Sequence, residues 1–311
     1  MAIEKLALSN VVIVCWNALE YTKATLDSLF KNTTGYYYLT LLNNGSSDET
    51  HDYIHSLNFP DNVLKIEIIE NEENLGIGTA YNQGFYISEK MKAEYTVFCN
   101  NDLLFSHNWL NKFENFMKKN KNVVIANPIR PSVNDIHPEK TSTMDKLLSI
   151  APCDISTEIE LFIKPLSTFE SFCREIEKVN TKKYGPVREI IFPDSTSSCV
   201  CIARNNILRK YGFFANPIFN AYGGEDIDMC WTVLSDGYKC FVLNNVYIHH
   251  FRGKSMKANN ENVAERLKKS NTILYKTWKR EIEIFCNSNI VRPTGKTWLL
   301  HKIKNNMEEL Q

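Results

Sequence analysis

Short apolar segments alternate with amphipathic segments along the first 130 residues of the chain. Apolar residues at helical spacing, for example over 21–32, predict helices, and the apolar segments between them have the runs or alternation of β-strands. The predicted strands are 11–16, 36–44, 64–70, 95–102 and the segment VVIAN. This order predicts an α/β fold with a mostly parallel central sheet flanked by helices.

The alternation stops after residue 130. Six prolines punctuate the segment 131–195, which predicts a variable insertion with helices near 140–150 and 166–180. A helix is also predicted from Asn260 to Phe285. The predicted units are an α/β half over 1–130, the insertion over 131–195, a second half of the same domain over 196–255 and a C-terminal helical extension over 256–311.

Composition and charge restrict the classes of protein. The 311 residues are 43% hydrophobic, enough to bury a sizeable core, and 36 basic residues balance 36 acidic ones. No global field therefore attracts nucleic acid, which is not a predicted partner. Nine cysteines without a C-x-x-C pair predict free thiols in a reducing, cytoplasmic compartment.

No apolar run approaches the ~20 residues that a membrane-spanning helix needs. Basic residues of the C-terminal segment, among them Arg266, Lys268 and Lys269, could still meet anionic lipids at the inner face of a membrane. A solvated helix face is the simpler explanation of the same residues.

Polar residues cluster where the predicted parallel strands end. The clusters are at Trp16 and Asn17, at 43–48, at 70–78 and at 100–102. Each is typical of a turn. Because open α/β sheets bind ligands at the carboxyl ends of their strands, the four clusters together predict a ligand cleft.

Two segments contain candidate chemistry. Asn100 and Asp102 could hold a hard divalent cation that bridges a diphosphate, although a turn and helix cap is equally compatible. The segment YGGEDIDMCW concentrates carboxylates directly after two glycines. Close carboxylates raise the proton affinity of one member, which suits a general base, whereas the helix dipole alone accounts for acids in a first turn.

Five segments in order resemble the sequence blocks of family 2 glycosyltransferases with the GT-A fold. They are VVIVCWNALEYTKATLDSL, LLNNGSSDET, ENLGIGTAYNQGF, FCNNDLLF and GGEDIDMCWTVLSDGYKCFVLNNVYIHHFRGKS. The GGED segment is also similar to the C-terminal block of the β-1,4-galactosyltransferase group. The resemblance implies an inverting transfer of a sugar from a nucleotide-diphosphate donor, with UDP- or dTDP-sugars favoured, and with Mn²⁺ or Mg²⁺. It implies a glycan, lipid-linked glycan or protein hydroxyl as acceptor, as in polysaccharide biosynthesis.

The resemblance also implies roles for individual residues. Asp102 matches the metal-binding carboxylate of the family's DxD element, Asn100 stands in place of its first Asp, and His250 is a further contact to metal or diphosphate. Asp226 matches the general base, which Glu225 would orient. The donor-binding positions are Trp16, Asn43, Asp48, Asn74, Gly76, Asn100, Asn101 and Asp102. The acceptor-binding positions are Gly223, Gly224, Glu225 and Asp228.

Two other classes of protein share this pattern. One is a catalytically silent module that binds sugar nucleotides or glycans, and the other is a sugar nucleotidyltransferase. The intact Glu225–Asp226 pair argues against the silent module. The lack of a glycine-rich basic loop near the N-terminus argues against the nucleotidyltransferase.

Overall fold

The computed structural model describes residues 7–130, 166–219, 223–251, 253–259 and 262–288. Its strands are β1 Ser9–Cys15, β2 Tyr37–Asn44, β3 Val63–Asn71, β4 Tyr95–Asn100, β5 Leu103–Phe105, β6 Val123–Ile129, β7 Val187–Ile190, β8 Val200–Arg204 and β9 Lys239–His250. Its helices are α1 Leu19–Asn32, α2 Thr50–His55, α3 Ile77–Lys90, α4 Trp109–Lys119, α5 Leu166–Tyr184, α6 Asn205–Tyr211, α7 Glu225–Ser235, α8 Lys254–Ala258 and α9 Val263–Asn287.

The strands form one nine-stranded sheet in the order β3-β2-β1-β4-β8-β6-β9-β5, with β7 paired to β9. The predicted parallel arrangement holds for β3, β2, β1 and β4. The other half is mixed, because β8 lies antiparallel between β4 and β6, while β9 runs parallel to β6. Strands from the predicted units 1–130 and 196–255 thus share one sheet, and the boundaries of those units stay predictions.

The periodic segments form the predicted helices. The pattern over 21–32 corresponds to α1, that over 166–180 to α5 and that from Asn260 to Phe285 to α9. The helix predicted near 140–150 lies outside the described residues. Among the helices of the described part, none is both long and apolar enough to cross a membrane.

Two apolar layers cover the sheet. Val11 and Ile13 of β1 join a buried cluster with residues of α1 and α4, whereas Val14 joins a second cluster with residues of α3 and α7. Successive side chains of a strand point to opposite faces, so one strand supplies both layers. The carboxyl ends of the parallel strands lie at one edge of this layered structure.

Helix α9 packs on α7 through a third apolar cluster. Trp231 is fully buried there with Leu274 and Ile282, and its indole N–H donates to the Asp194 carbonyl at 3.2 Å. Trp278 Nε1 donates to Asp228 Oδ1 at 2.8 Å, which connects the two helices a second time. The position of α7 and its carboxylates therefore depends on the C-terminal helix.

Helix α3 packs closely against β1 at Gly84. A Cβ atom at this position would lie 2.3 Å from Val12 Cγ1 of β1, well inside van der Waals contact. We expect Gly84→Ala to lower the free energy of unfolding by about 1–3 kcal/mol, because a packed core must shift to admit the methyl group. Urea unfolding of the purified chain measures this change.

Val12→Ala is the matched partner for this test. It removes the γ-methyl groups that the new Cβ meets, so the double variant should cost less than the sum of the two single variants. Additive costs would contradict the steric explanation.

Candidate active site

A cleft of about 700 Å³ opens at the carboxyl ends of the parallel strands. Its lining includes seven of the residues predicted for donor and metal binding: Trp16, Asn74, Gly76, Asn100, Asn101, Asp102 and His250. Asn44, Ser255 and Arg266 line it as well. The strand-end clusters of the sequence therefore do converge on one cavity, as the topology of an open α/β sheet requires.

Asn101 holds the turn between β4 and β5 at the base of this cleft. Its side-chain amide donates to the Asn17 carbonyl at 2.9 Å and to Thr22 Oγ1 at 2.8 Å, and its oxygen accepts from Ser255 Oγ at 3.0 Å. Asn101 is buried, with both amide hydrogens used by the protein. In this arrangement its side chain organises the loops around the cleft.

Strand pairing brings Asp102 next to His250. Leu103 of β5 is opposite His250 of β9, and the Phe251 N–H donates to the Asp102 carbonyl at 3.0 Å. Asp102 Oδ1 lies 3.1 Å from His250 Nε2, an ion-pair distance. Even so, this buried oxygen makes no hydrogen bond of acceptable geometry with any described group. Its described partner is the His250 ion pair rather than a hydrogen bond.

His250 is part of a buried charge cluster with Cys199. Burial lowers the pKa of His250, but the negative charges of Asp102 and the Cys199 thiolate outweigh it and raise this pKa to about 10. Burial likewise raises the pKa of Cys199, but Arg130 and His250 outweigh it and lower this pKa to about 6. These contacts favour a protonated imidazole on His250, which lines the cleft, and a thiolate on Cys199, which accepts from Arg130.

Asn100 is oriented by Tyr81. Its Oδ1 accepts from the Tyr81 hydroxyl at 2.8 Å, and its Nδ2 lies 3.5 Å from His250 Nε2. The amide thus presents its nitrogen, rather than its oxygen, towards the Asp102–His250 pair. Of the two residues of this turn that were predicted as metal ligands, Asp102 rather than Asn100 has an oxygen directed at His250.

Glu225 and Asp226 form the first turn of α7, and Ser198 contacts both. The Ser198 N–H donates to Asp226 Oδ2 at 3.0 Å, and the Ser198 hydroxyl donates to Glu225 Oε1 at 2.8 Å. Glu225 is 2% exposed, and its Oε2 has no hydrogen-bond partner among the residues described, whereas Asp226 is only partly buried.

The two carboxyl groups differ in their protonation. Burial, together with the charge of Asp226, raises the pKa of Glu225 to about 8. Burial also raises the pKa of Asp226, but the N–H groups of Ser198 and Ile227 and the charge of Arg130 oppose this rise. The deeper burial of Glu225 and the N–H groups that contact Asp226 thus favour the proton of the pair on Glu225 and the negative charge on Asp226.

The segment Ser197–Cys199 connects the Glu225–Asp226 pair with the Asp102–His250 pair. Ser198 contacts the carboxylates of α7, and the next residue, Cys199, interacts with His250. Arg130 donates to Ser197 Oγ and to Cys199 Sγ. Sequence reasoning assigned no site role to these residues or to Arg130. The serine-rich run STSSC, directly before an apolar strand, was the available signal.

Three predicted site residues are engaged by the protein itself. Asp48 accepts from the N–H groups of Leu19 and Thr50, both at 3.1 Å, at the starts of α1 and α2. Asp228 accepts from Trp278 Nε1 and, at 3.3 Å, from Asn216 Nδ2.

Asn43 is likewise engaged: it donates to Glu70 Oε2 at 2.7 Å and accepts from the Ser46 N–H at 3.1 Å. Each of the three side chains therefore has a structural role in this arrangement, and their contacts to substrates stay predictions.

The backbone conformation explains why two glycines precede Glu225. Gly223 and Gly224 have φ values of 83° and 96°, where side chains with a Cβ are strained. A Cβ on Gly224 would also lie 2.9 Å from ring atoms of Phe219. The Gly-Gly pair thus permits the entry of the chain into α7, and close approach to a ligand stays a prediction.

Comparisons with known proteins agree with this architecture. The model of glycosyl transferase family 2 matches residues 10–202, more than half of the chain. None of the curated proteins searched matches the sequence significantly.

Solved structures share the fold at low identity. S. aureus TarS (residues 1–349) superposes with a TM-score of 0.54 at 14% identity, over 97% of this chain and 72% of that chain. The mannosyltransferase PcManGT from Pyrobaculum calidifontis gives 0.55 at 12% identity, over 97% and 74%. GalNAc-T7 gives 0.51 at 14%, over 98% and 55%. The chain belongs to glycosyl transferase family 2 and is a glycosyltransferase with the GT-A fold.

Proposed function

We propose that this glycosyltransferase is metal-dependent and inverting, and that it uses a nucleotide-diphosphate sugar, with UDP- or dTDP-sugars preferred. One observation carries the proposal: the adjacent residues Ser198 and Cys199 join the Asp102–His250 pair to the Glu225–Asp226 pair. A candidate anion-binding group and a candidate general base are thus linked through two adjacent residues, the arrangement expected where a donor site adjoins an acceptor site.

The donor would occupy the cleft at the strand ends. Arg266 and the protonated His250 line it and would attract a diphosphate, and Trp16 offers an aromatic surface to a base or sugar. The proteins that share this fold support such a donor. TarS was solved with UDP-GlcNAc, PcManGT with GDP-Man and Mn²⁺, and GalNAc-T7 with UDP, GalNAc and Mn²⁺.

Asp102 and His250 fit a divalent metal. Asp102 Oδ1 is a buried oxygen without a hydrogen bond, the kind of acceptor that a hard cation satisfies. Bound Mn²⁺ or Mg²⁺ would neutralise charge on the leaving diphosphate. Because the imidazole must lose its proton to act as a ligand, the raised pKa of His250 implies that metal binding is favoured at higher pH.

Asp226 would remove the proton of the acceptor hydroxyl. In the transfer, the acceptor oxygen forms a bond to the anomeric carbon, the bond from that carbon to the diphosphate breaks, and the acceptor proton passes to Asp226. Neutral Glu225 can donate a hydrogen bond through its own proton, either to the acceptor or to Asp226. Inversion follows when the attack comes from the face opposite the diphosphate.

The acceptor is proposed by class only: the hydroxyl of a glycan, a lipid-linked glycan or a protein, in polysaccharide biosynthesis or a related process. Seven buried cysteines in the described part of the chain form no disulfide, which supports a reducing, cytoplasmic compartment.

Incubation with UDP-, dTDP- and GDP-sugars plus Mn²⁺ tests the proposal, with donor hydrolysis or transfer as the readout. We expect Asp226→Asn to lower kcat by about 10²–10⁴, the range for loss of a general base, with little change in donor affinity. Asp102→Ala should abolish the metal dependence together with the activity.

Asp61→Asn, an exposed acid before β3, is the control and should leave the activity unchanged. Full turnover by Asp226→Asn would refute the base assignment, and failure to bind any donor with any metal would refute the proposed reaction.

The raised pKa of Glu225 predicts a pH-dependent stability. The folded chain holds this proton up to about pH 8, whereas the unfolded chain loses it near the ordinary value of 4.5. The contribution of Glu225 is therefore most favourable below about pH 4.5 and is lost as the pH rises towards 8.

The side chain introduced by Glu225→Gln does not titrate. We therefore expect the free energy of unfolding of this variant, relative to that of the wild type, to rise by up to about 4 kcal/mol as the pH increases from 5 to 8. Urea unfolding at both pH values measures the gain. Asp61→Asn, on the surface, should show no such pH dependence. A difference between wild type and Glu225→Gln that is equal at both pH values would contradict the buried, protonated carboxyl.

A further inference from the structure

Two histidines and a glutamate form a cluster between α2 and β3. His51 and His55 are four residues apart on α2, which places them on one face of the helix, and Glu70 lies near the end of β3. Within the described residues, this is the one group of three His, Cys, Asp or Glu side chains whose ligand atoms all lie within 4.8 Å of one another. This group, the α2–β3 cluster, includes none of the site residues assigned above.

Two donor-atom distances in the α2–β3 cluster, one to each oxygen of Glu70, are close to those of a metal centre. His51 Nδ1 lies 3.3 Å from Glu70 Oε2, and His55 Nε2 lies 3.1 Å from Glu70 Oε1. Donor atoms of a tetrahedral zinc site, each ~2.0–2.1 Å from the ion, are separated by about 3.3–3.4 Å. Small rotations of the three side chains would therefore allow all three to bind one ion.

The exposure of the cluster favours access for an ion and for a water ligand. The side chains of His51, His55 and Glu70 are 54%, 46% and 36% exposed. Three protein ligands leave one tetrahedral position open, and water can fill it. The two imidazole rings are 4.6 Å apart between centroids, so the histidines already face the same volume.

Asn43 orients the glutamate. Strand pairing puts Asn43 of β2 opposite Glu70 of β3, and Asn43 Nδ2 donates to Glu70 Oε2 at 2.7 Å. The oxygen of Asn43 accepts from the Ser46 N–H, which fixes the direction of the amide. Carboxylate ligands of metals are commonly held by such outer hydrogen bonds.

We propose that His51, His55 and Glu70 form a second metal site, which binds one Zn²⁺ per chain and is separate from Asp102 and His250. Two imidazole nitrogens and one carboxylate oxygen suit Zn²⁺, whereas Mg²⁺ and Mn²⁺ favour oxygen ligands. The site therefore differs in metal preference from the proposed catalytic site. A set of surface hydrogen bonds between Glu70 and the histidines, with no metal, is the competing explanation.

Isothermal titration of the full chain with Zn²⁺, after removal of metals by a chelator, tests the site. The Asp102→Ala background removes the other candidate ligand set, so that the remaining binding reports on the α2–β3 cluster. We expect one Zn²⁺ per chain in this background. His51→Ala and His55→Ala should each weaken binding at least tenfold, and Asn43→Ala about tenfold, as for the loss of an outer partner.

His107→Ala is the matched control, because His107 is an exposed histidine away from the cluster, and it should leave Zn²⁺ affinity unchanged. Co²⁺ provides a second readout: a tetrahedral visible spectrum is expected, and it should disappear in His55→Ala. Circular dichroism of each variant reports whether the fold is kept.

Absence of stoichiometric Zn²⁺ binding, or binding that survives both histidine substitutions, would overturn the proposal and leave the hydrogen-bonded explanation. None of these measurements uses transferase activity, so the outcome does not depend on the proposed reaction.

Discussion

The pairing of the three-residue strand β5 with the end of β9 is the constraint on which the candidate active site depends. It places Asp102 and His250 side by side although they are distant in the chain, and the Phe251 N–H fixes the backbone of Asp102. Asn101 then holds the same turn against α1 and Ser255. Because β9 also pairs with β6 and β7, it is Asp102 whose position depends most on this short pairing.

Burial sets the chemistry of the side chains gathered behind that turn. An isolated charge in such surroundings is costly, so charges occur there as partners: His250 with Asp102 and Cys199, and Arg130 with the same thiolate. Burial and the charge of Asp226 raise the pKa of Glu225, so this carboxyl group keeps its proton instead. The same environment thus produces an ionised base and a neutral neighbour from two adjacent carboxyl groups.

Much of the fold follows from local patterns. Strands β1 to β4 and helices α1, α5 and α9 occur where apolar periodicity predicts them, because the face that an element buries is encoded within its own residues. The insertion of β8 between β4 and β6 was not predictable in this way. Strand order depends on the packing of segments far apart in the chain, and periodicity contains no information about it.

The features of the candidate site are likewise of two kinds, those set by local motifs and those set by contacts between distant segments. The sequence by itself determined the fold class, the family resemblance and the candidates Asp102, Glu225, Asp226 and His250, since these rest on motifs of adjacent residues. Tertiary structure alone decided that Ser198 holds both carboxylates, that Arg266 reaches the donor cleft, and that Asp48 and Asp228 serve helix starts and helix packing. A motif specifies which groups are present, whereas hydrogen bonds and burial between distant segments specify which of those groups remain available for chemistry.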